Sequence, residues 1–353
     1  MKIIADASLP GLHQAFPKPF ELSLYNNANE LPELLKNQQV LICRATLKVN
    51  EKLLKGHALS YVATASSGTD HIDSLYLKNN SIQLIDAKGS NAIAVADYVI
   101  ATLAYLQRYK NFSGSKAGVV GVGEVGSRVV KRLTAAGMEV ICYDPIKAEQ
   151  DEEFKNSTLE ELALCNLISI HANLHDEHPY PSSNLFNESL LKQLKPNTVI
   201  INASRGGIVD EEALLEQKKT LIYCTDVFSN EPKINSKIIE LATLCTPHVA
   251  GHSIEAKYRA IEMISEKLHA YMQLESPQFN FYPKAPSLSY EEKNWQDLAL
   301  KLYNPLHETL QLKTAANLES AFLNLRKAHQ NRYDFCCYAL SMSNHKISKI
   351  FGF

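Results

Sequence analysis

Between Lys116 and Pro145 the chain reads KAGVVGVGEVGSRVVKRLTAAGMEVICYDP, an order of residues that few folds can accommodate. The apolar run Ala117 to Val120 predicts a buried strand. Gly121, Gly123 and Gly126 follow in G-x-G-x-x-G spacing. Val125, Val129, Val130, Leu133 and Ala136 then fall on one helical face, and Gly137 stands where a helix C-cap belongs. A second strand, Met138 to Tyr143, ends at Asp144.

Each glycine has a separate task. Gly121 permits the tight strand-to-helix turn, Gly123 lets the backbone approach a pyrophosphate, and Gly126 allows the helix to lie close on the strand. The unpaired N–H groups of the first helical turn then face the phosphates. Asp144, about 20 residues on, suits the 2′- and 3′-hydroxyls of an adenosine ribose. A glycine triplet alone is weak evidence. Strand, helix, second strand and terminal acid in order read as a dinucleotide site.

A chain of 353 residues has room for two or three domains. Its net charge of −2 makes no electrostatic case for nucleic acid or an anionic membrane surface. Seven cysteines, an odd number without C-x-x-C spacing, speak against a disulfide framework. Cys43, Cys142, Cys165 and Cys224 sit in apolar contexts, a reduced, cytoplasmic pattern. The N-terminus, MKIIADASLP, has no apolar core of signal-peptide length. Ala92 to Leu106 is interrupted by Asp97 and too short to span a bilayer, so it predicts a buried helix.

The rest of the chain alternates strand and helix. Strands are expected at Lys2 to Asp6, Phe20 to Tyr25, Val40 to Cys43, Tyr61 to Ala65 and Ile82 to Ile85. After the glycine motif they resume at Leu167 to Ile170, Thr198 to Asn202, Leu221 to Asp226 and Leu244 to Thr246. Ser157 and Glu160 have capping-box spacing before the helix containing Leu159 to Leu164. Ser253 caps a long helix to about Gln273. Such alternation builds parallel sheets. Arg44, Ser66, His171, Arg205, Asp226 and His248 all fall just past the carboxyl ends of expected strands, where open α/β sheets bind ligands. From Ser276 to Ser289 three prolines mark a linker. The last 65 or so residues are few for an independent core, so they are expected to pack on another surface.

Three residues in the second half suit hydride chemistry on a 2-hydroxy acid. Histidine titrates in the range needed to take a hydroxyl proton, and His248 stands in TPHVAGH. A guanidinium holds a carboxylate bidentately, and Arg205 stands in NASRGGIVD. A carboxylate behind the histidine fixes its tautomer and favours its charged form, a role open to Glu231 in DVFSNEP. Singly, each reads as well as a loop or capping residue; together, behind a dinucleotide fingerprint, they form a set.

These motifs resemble the D-isomer-specific 2-hydroxyacid dehydrogenases. The start of the chain is closer to one branch of that family, through MKIIAD, R-x-x-x-KVNE-x-LL at Arg44 to Leu54, TASSGTDHID at Thr64 to Asp73 and GSNAIAVADYV at Gly89 to Val99. Leu325 to Lys327, the aromatic run RYDFCCYAL and the terminal Gly352-Phe353 extend the likeness through the tail. The resemblance implies two Rossmann-like parallel-sheet domains and a small C-terminal α+β dimerisation domain. Their bounds would be 1–90 with 259–280 for substrate, 91–258 for NAD, and 287–353 for a homodimer contact. It implies Arg205, Glu231 and His248 as the catalytic set. Gly121, Gly123, Val125, Gly126, Asp144, Ala172, Asp226 and Gly251 would contact NAD. Arg44, Ala45, Ser66, Ser67, Gly68 and His252 would meet the substrate, a small phosphorylated 2-hydroxy acid. Alternatives are a sister activity on 3-phosphoglycerate or another D-2-hydroxy acid, and a non-catalytic NAD-sensing protein.

Three positions depart from the family pattern. Ala45 replaces a serine, Ala172-Asn173 replaces threonine-proline, and His252 replaces a tyrosine. His171, His175 and His178 imitate a metal cluster, but they follow a strand in a loop interrupted by Pro179 and Pro181, so no metal is expected. Asp70-His71-Ile72-Asp73 is expected to cap and begin a helix.

Overall fold

The computed structural model describes residues 1–288, 294–329, 332–338 and 345–353. Ser289 of the expected linker, Tyr290 after it, and Ala339 and Leu340 of the aromatic run lie outside the described residues. By its contacts the chain divides into two units: Met1–Asn91 with Ser253–Lys284, and Ala92–His252 with Ala285–Phe353.

In the first unit β1 (Lys2–Asp6), β2 (Glu21–Tyr25), β3 (Val40–Cys43), β4 (Tyr61–Thr64) and β5 (Gln83–Ile85) form a parallel sheet ordered β2-β1-β3-β4-β5. All four residues of β3 are buried, the continuous apolar run of a strand covered on both faces. Ile3, Ala5, Val40 and Ile42 pack in one core with Ala260, Ile261, Ile264 and Leu268 of the helix Ile254–Tyr271. On the other face Ile4, Leu41 and Cys43 pack with Leu31, Leu35, Leu54 and Leu77. The helix Ser74–Asn79 is capped by Asp73, whose side chain accepts from Tyr76 N–H at 2.9 Å, as the DHID reading expects.

The helix Ile254–Tyr271 thus returns from late in the sequence to cover a sheet made at its start. Ser253 caps it, with Oγ accepting from Ala256 N–H at 3.0 Å. A domain crossing at residue 258 would divide this helix. The contacts keep it whole and set the crossing at its cap.

The second unit is built on β6 (Lys116–Val120), β7 (Glu139–Tyr143), β8 (Leu167–Ile170), β9 (Val199–Asn202), β10 (Ile222–Thr225) and β11 (Leu244–Cys245), all parallel and ordered β11-β10-β9-β8-β6-β7. The order reverses between β6 and β8, which makes the carboxyl end of β6 a topological switch point. The glycine motif begins there. Its helix, Glu124–Ala135, buries Val129 and Leu133 against the helix Ala92–Tyr109, and Gly137 follows with a left-handed φ of 100°. The capping box lies one residue later than its expected position. Thr158 accepts from Glu161 N–H at 3.2 Å and Glu161 accepts from Thr158 N–H at 2.9 Å, because Ser157 N–H is taken by the carbonyl of Cys142 at 2.7 Å.

The tail groups with this second unit. Its described residues form the helices Trp295–Leu302, Leu306–Lys313, Leu318–Ala328 and His345–Phe351 and a 3-10 turn at Phe335–Cys337. Trp295, Leu298, Phe335, Ile350 and Phe351 share a core with Val99, Leu103, Val129 and Leu133. Leu312 and Phe322 share another with Phe228 and Ile238. The tail also closes the open edge of the sheet. Thr309 Oγ1 accepts from Cys245 N–H at 2.9 Å and lies 3.0 Å from the same residue's carbonyl, satisfying a strand with no neighbour on that side. Asp97, which interrupts the apolar helix, is fully buried. It is ion-paired with buried Arg132 of the glycine-motif helix and accepts from Phe335 N–H at 2.9 Å.

Candidate active site

The three glycines of the turn differ in the space around them. Gly121 has φ 79°, and a Cβ there would lie 2.6 Å from the backbone nitrogen of Ala172. A Cβ on Gly126 would lie 2.0 Å from the carbonyl oxygen of Gly121, so helix and turn touch through it. A Cβ on Gly123 meets nothing within 4 Å. That opening faces the first turn of a helix of 12 residues, the space a pyrophosphate needs. Val125 is half-buried in this turn.

Asp144 follows β7 beside the turn. Its Oδ2 accepts from Val122 N–H at 2.7 Å, and its Oδ1 accepts from Lys147 N–H at 3.0 Å, capping the helix Pro145–Gln150. One carboxylate therefore fixes the glycine turn and remains at its edge. A groove with about 350 Å³ of empty space, open solvent included, runs alongside, lined by Gly121, Tyr143, Asp144, Ile146, Ala172 and His175 among others. An adenosine and its phosphates fit this donor set and this opening. Lys147, which the sequence did not mark, donates from Nζ to the carbonyl of Val122 at 3.2 Å and lies over the Phe154 ring.

The catalytic candidates occupy the loops after β9, β10 and β11. Asn202, the last residue of β9, shapes the first of them. Its Oδ1 accepts from Ser204 N–H at 3.2 Å, and its Nδ2 donates to the Arg205 carbonyl at 3.0 Å. Arg205 Nη1 donates to the Ser204 carbonyl at 2.8 Å. The next residue must be glycine, since a Cβ on Gly206 would sit 1.9 Å from the Phe228 carbonyl oxygen. That contact seats the arginine loop on the loop after β10, where Glu231 Oε1 accepts from Phe228 N–H at 3.0 Å.

Glu231 Oε2 lies 2.7 Å from His248 Nδ1, with both side chains largely buried. Burial raises the Glu231 pKa, but the hydrogen bond and charge of His248 outweigh it and hold the carboxyl below its usual range. The imidazole is thereby oriented by Nδ1, leaving Nε2 for proton transfer. His248 itself has φ 55°, a left-handed conformation uncommon outside glycine.

Asp226 maintains that conformation. It is fully buried, and Oδ1 accepts from Thr246 Oγ1 at 2.6 Å and from Val249 N–H at 2.8 Å. Its Oδ2 accepts from Ala250 N–H at 2.9 Å, one residue before Gly251. Tyr98 Oη lies 3.0 Å from Thr246 Oγ1 and completes the network. Burial pushes the Asp226 carboxyl up, restrained by the His248 charge and these donors. The family resemblance implies an NAD contact for Asp226; in the structure it braces the histidine loop. Thr246 and Tyr98 gave no sequence signal, since each reads as an ordinary core residue.

His252 follows in the same unit, with its ring 6.3 Å from that of His329 in the tail. His171 follows β8, half-buried, with Nε2 2.8 Å from Ser169 Oγ, and burial pushes its imidazole down to about 3. Among the described residues, His171, His175 and His178 do not gather within ligand reach of one another.

The candidate substrate residues other than His252 lie in the first unit. Arg44 follows β3, and its Nε donates to Asp6 Oδ2 at 2.8 Å. Ala45 follows it, exposed. Ser66, Ser67 and Gly68 form the loop after β4, pinned where Ser67 Oγ donates to Asn91 Oδ1 at 2.7 Å.

Comparison with known proteins gives the family. Residues 100–250 match the D-isomer specific 2-hydroxyacid dehydrogenase NAD-binding domain. The chain is 55 % identical over 338 residues to an erythronate-4-phosphate dehydrogenase of Legionella pneumophila, covering 96 % of each chain. It is 35 % identical over 350 residues to that of Coxiella burnetii, covering 97 % of this chain and 95 % of the relative. Among solved structures, NAD-bound 3-phosphoglycerate dehydrogenase of Entamoeba histolytica aligns with a TM-score of 0.66 at 25 % identity, over 77 % of this chain and 95 % of that one. An NAD complex of Staphylococcus aureus formate dehydrogenase has the same fold, with a TM-score of 0.60 at 22 % identity, over 81 % and 97 %.

Proposed function

Because the chain belongs to the erythronate-4-phosphate dehydrogenase family, within the D-isomer specific 2-hydroxyacid dehydrogenases, we propose that it oxidises 4-phospho-D-erythronate to 2-oxo-3-hydroxy-4-phosphobutanoate with NAD. This is a step towards pyridoxal 5′-phosphate, carried out in the cytoplasm by a homodimer. The observation that carries the reading is the 2.7 Å pair of His248 Nδ1 and Glu231 Oε2 in a chain 55 % identical to one such enzyme.

When bound, NAD supplies the hydride acceptor. The protein supplies the rest. His248 Nε2 takes the proton of the substrate C2 hydroxyl, and the Glu231 carboxylate stabilises the imidazolium that forms. Arg205 holds the substrate carboxylate and polarises the forming carbonyl. Asp226, through Thr246, Val249 and Ala250, keeps the His248 loop in its left-handed turn. Ser66, Ser67 and Gly68 serve the carboxylate, and Arg44 the phosphate or the adjacent hydroxyls. Ala45 removes one hydroxyl from that set, and His252 takes the place of a phenol.

The test is a panel of 2-hydroxy and 2-oxo acids, with and without a terminal phosphate, read by NADH absorbance. Turnover of 4-phospho-D-erythronate above all others supports the reading, and a preference for 3-phosphoglycerate or an unphosphorylated acid overturns it. The Asp144 carboxylate would repel a 2′-phosphate, so NAD should outperform NADP and Asp144→Ala should narrow the gap. Equal wild-type turnover with NADP would refute this cofactor assignment.

A further inference from the structure

Arg44 is braced on one edge and open on the other. Its Nε donates to Asp6 Oδ2, while Asp6 Oδ1 accepts from the N–H and the hydroxyl of Ser8 at 2.9 and 2.6 Å. The two terminal guanidinium nitrogens are left for a ligand, and the side chain is 45 % exposed.

A second cation stands close by in the same unit. Lys257 lies in the first turns of the helix Ile254–Tyr271, one turn before Ala260 and Ile261. Those residues share a core with Ala5 and Ile42, which precede Asp6 and Arg44 by one and two positions. Helical side chains lean towards the N-terminus, so Lys257 extends towards the carboxyl ends of β1 and β3, where Arg44 begins. It is half-buried, and its ammonium makes no hydrogen bond or ion pair among the described residues. Burial first, and then the Arg44 charge, hold its ammonium below the usual lysine range.

Asp6 pairs with Arg44 alone, so the adjoining Lys257 charge is left in excess. A carboxylate ligand would be satisfied by the Arg44 fork alone. A phosphomonoester brings a third oxygen and a second negative charge, which give the ammonium a partner as well.

We propose that Lys257 and the terminal nitrogens of Arg44 form a phosphomonoester subsite that selects a phosphorylated over an unphosphorylated 2-hydroxy acid. The proposal rests on the reaction assigned above and adds a specificity residue to it.

The test uses the full-length enzyme and Lys257→Met, Lys257→Gln and Lys257→Arg. Steady-state kinetics are measured with 4-phospho-D-erythronate and D-erythronate, and inorganic phosphate binding is measured by calorimetry. Lys257→Met should raise KM for the phosphorylated acid about 10- to 100-fold, the loss expected of one charged hydrogen bond, with a much smaller change in kcat. The preference for the phosphorylated acid should shrink by the same factor. Phosphate binding should weaken, and Lys257→Arg should restore most of both. Equal losses on the two acids, or unchanged phosphate binding, would overturn the subsite. Should Lys257→Met not fold, Lys257→Gln carries the same readings. A wild type with no preference for the phosphorylated acid would refute the reaction assigned above; the phosphate arm still decides the subsite.

Discussion

His248 illustrates how single residues divide the work. One ring nitrogen is bound to Glu231, the backbone is held left-handed by Asp226, and only Nε2 is left for substrate. His248→Ala should lower turnover by about 10²- to 10⁴-fold, the range of general acid–base catalysis, and a variant near the wild-type rate would refute the role. Glu231→Gln removes the carboxylate that holds the ring by Nδ1, so turnover should fall. Glu231 also links stability to pH. Its folded pKa lies below the unfolded value, so its contribution is present above the unfolded pKa and is lost as pH falls through the folded one. His171 acts over a higher window. Its imidazole falls from 6.5 to about 3 on burial, so the stability linked to it is full above 6.5 and declines as pH drops towards 3. His171→Asn should flatten that decline, measured as urea midpoints at about pH 7.5 and about pH 5. An unchanged slope would show that His171 is not the group taking up the proton.

At the scale of elements, the glycine motif separates binding from folding. Gly123 faces open space, whereas Gly126 touches the Gly121 carbonyl. Gly123→Ala should therefore raise KM for NAD and leave the thermal midpoint nearly unchanged. Gly126→Ala should cost about 1–3 kcal/mol of stability through overpacking, besides weakening NAD binding. If both variants lose stability equally, the opening before Gly123 is not the phosphate site. Gly206 makes the same point in a loop. A side chain there would force the Phe228 carbonyl away, and with it the backbone N–H that holds Glu231.

The whole molecule depends on the tail. It covers both faces of the second sheet, satisfies the edge strand through Thr309, and meets Asp97 through Phe335 N–H. Arg132→Met would leave the Asp97 charge buried and unpaired, a loss of about 3–5 kcal/mol, measurable by urea unfolding. A loss below about 1 kcal/mol would mean that the pair is replaceable by packing. Removing the chain after Pro286 would uncover Val99, Leu103, Val129 and Leu133, so insoluble protein is the expected outcome. Leu310, Leu323 and Phe353 remain exposed on the tail of the single chain and suit a two-fold contact. Full-length protein that sediments as a monomer at micromolar concentration would refute the dimer.

The sequence by itself determined the two parallel sheets, because their strands are short apolar runs separated by turn residues at regular intervals. It determined the dinucleotide turn, since each glycine answers a local steric demand, and it marked Arg205, Glu231 and His248 by their motifs. Contacts between residues far apart in the chain were decided only by the tertiary structure. Asp97 reads locally as a break in an apolar helix, and only packing brings it to Arg132, 35 residues away. Thr246 and Tyr98, 148 residues apart, become one network around Asp226. Lys257 reads as a solvated helix residue until the helix folds back beside Arg44. Spacing records what a residue does to its own turn or helix; the charge it meets across the fold is set by packing, which no local pattern encodes.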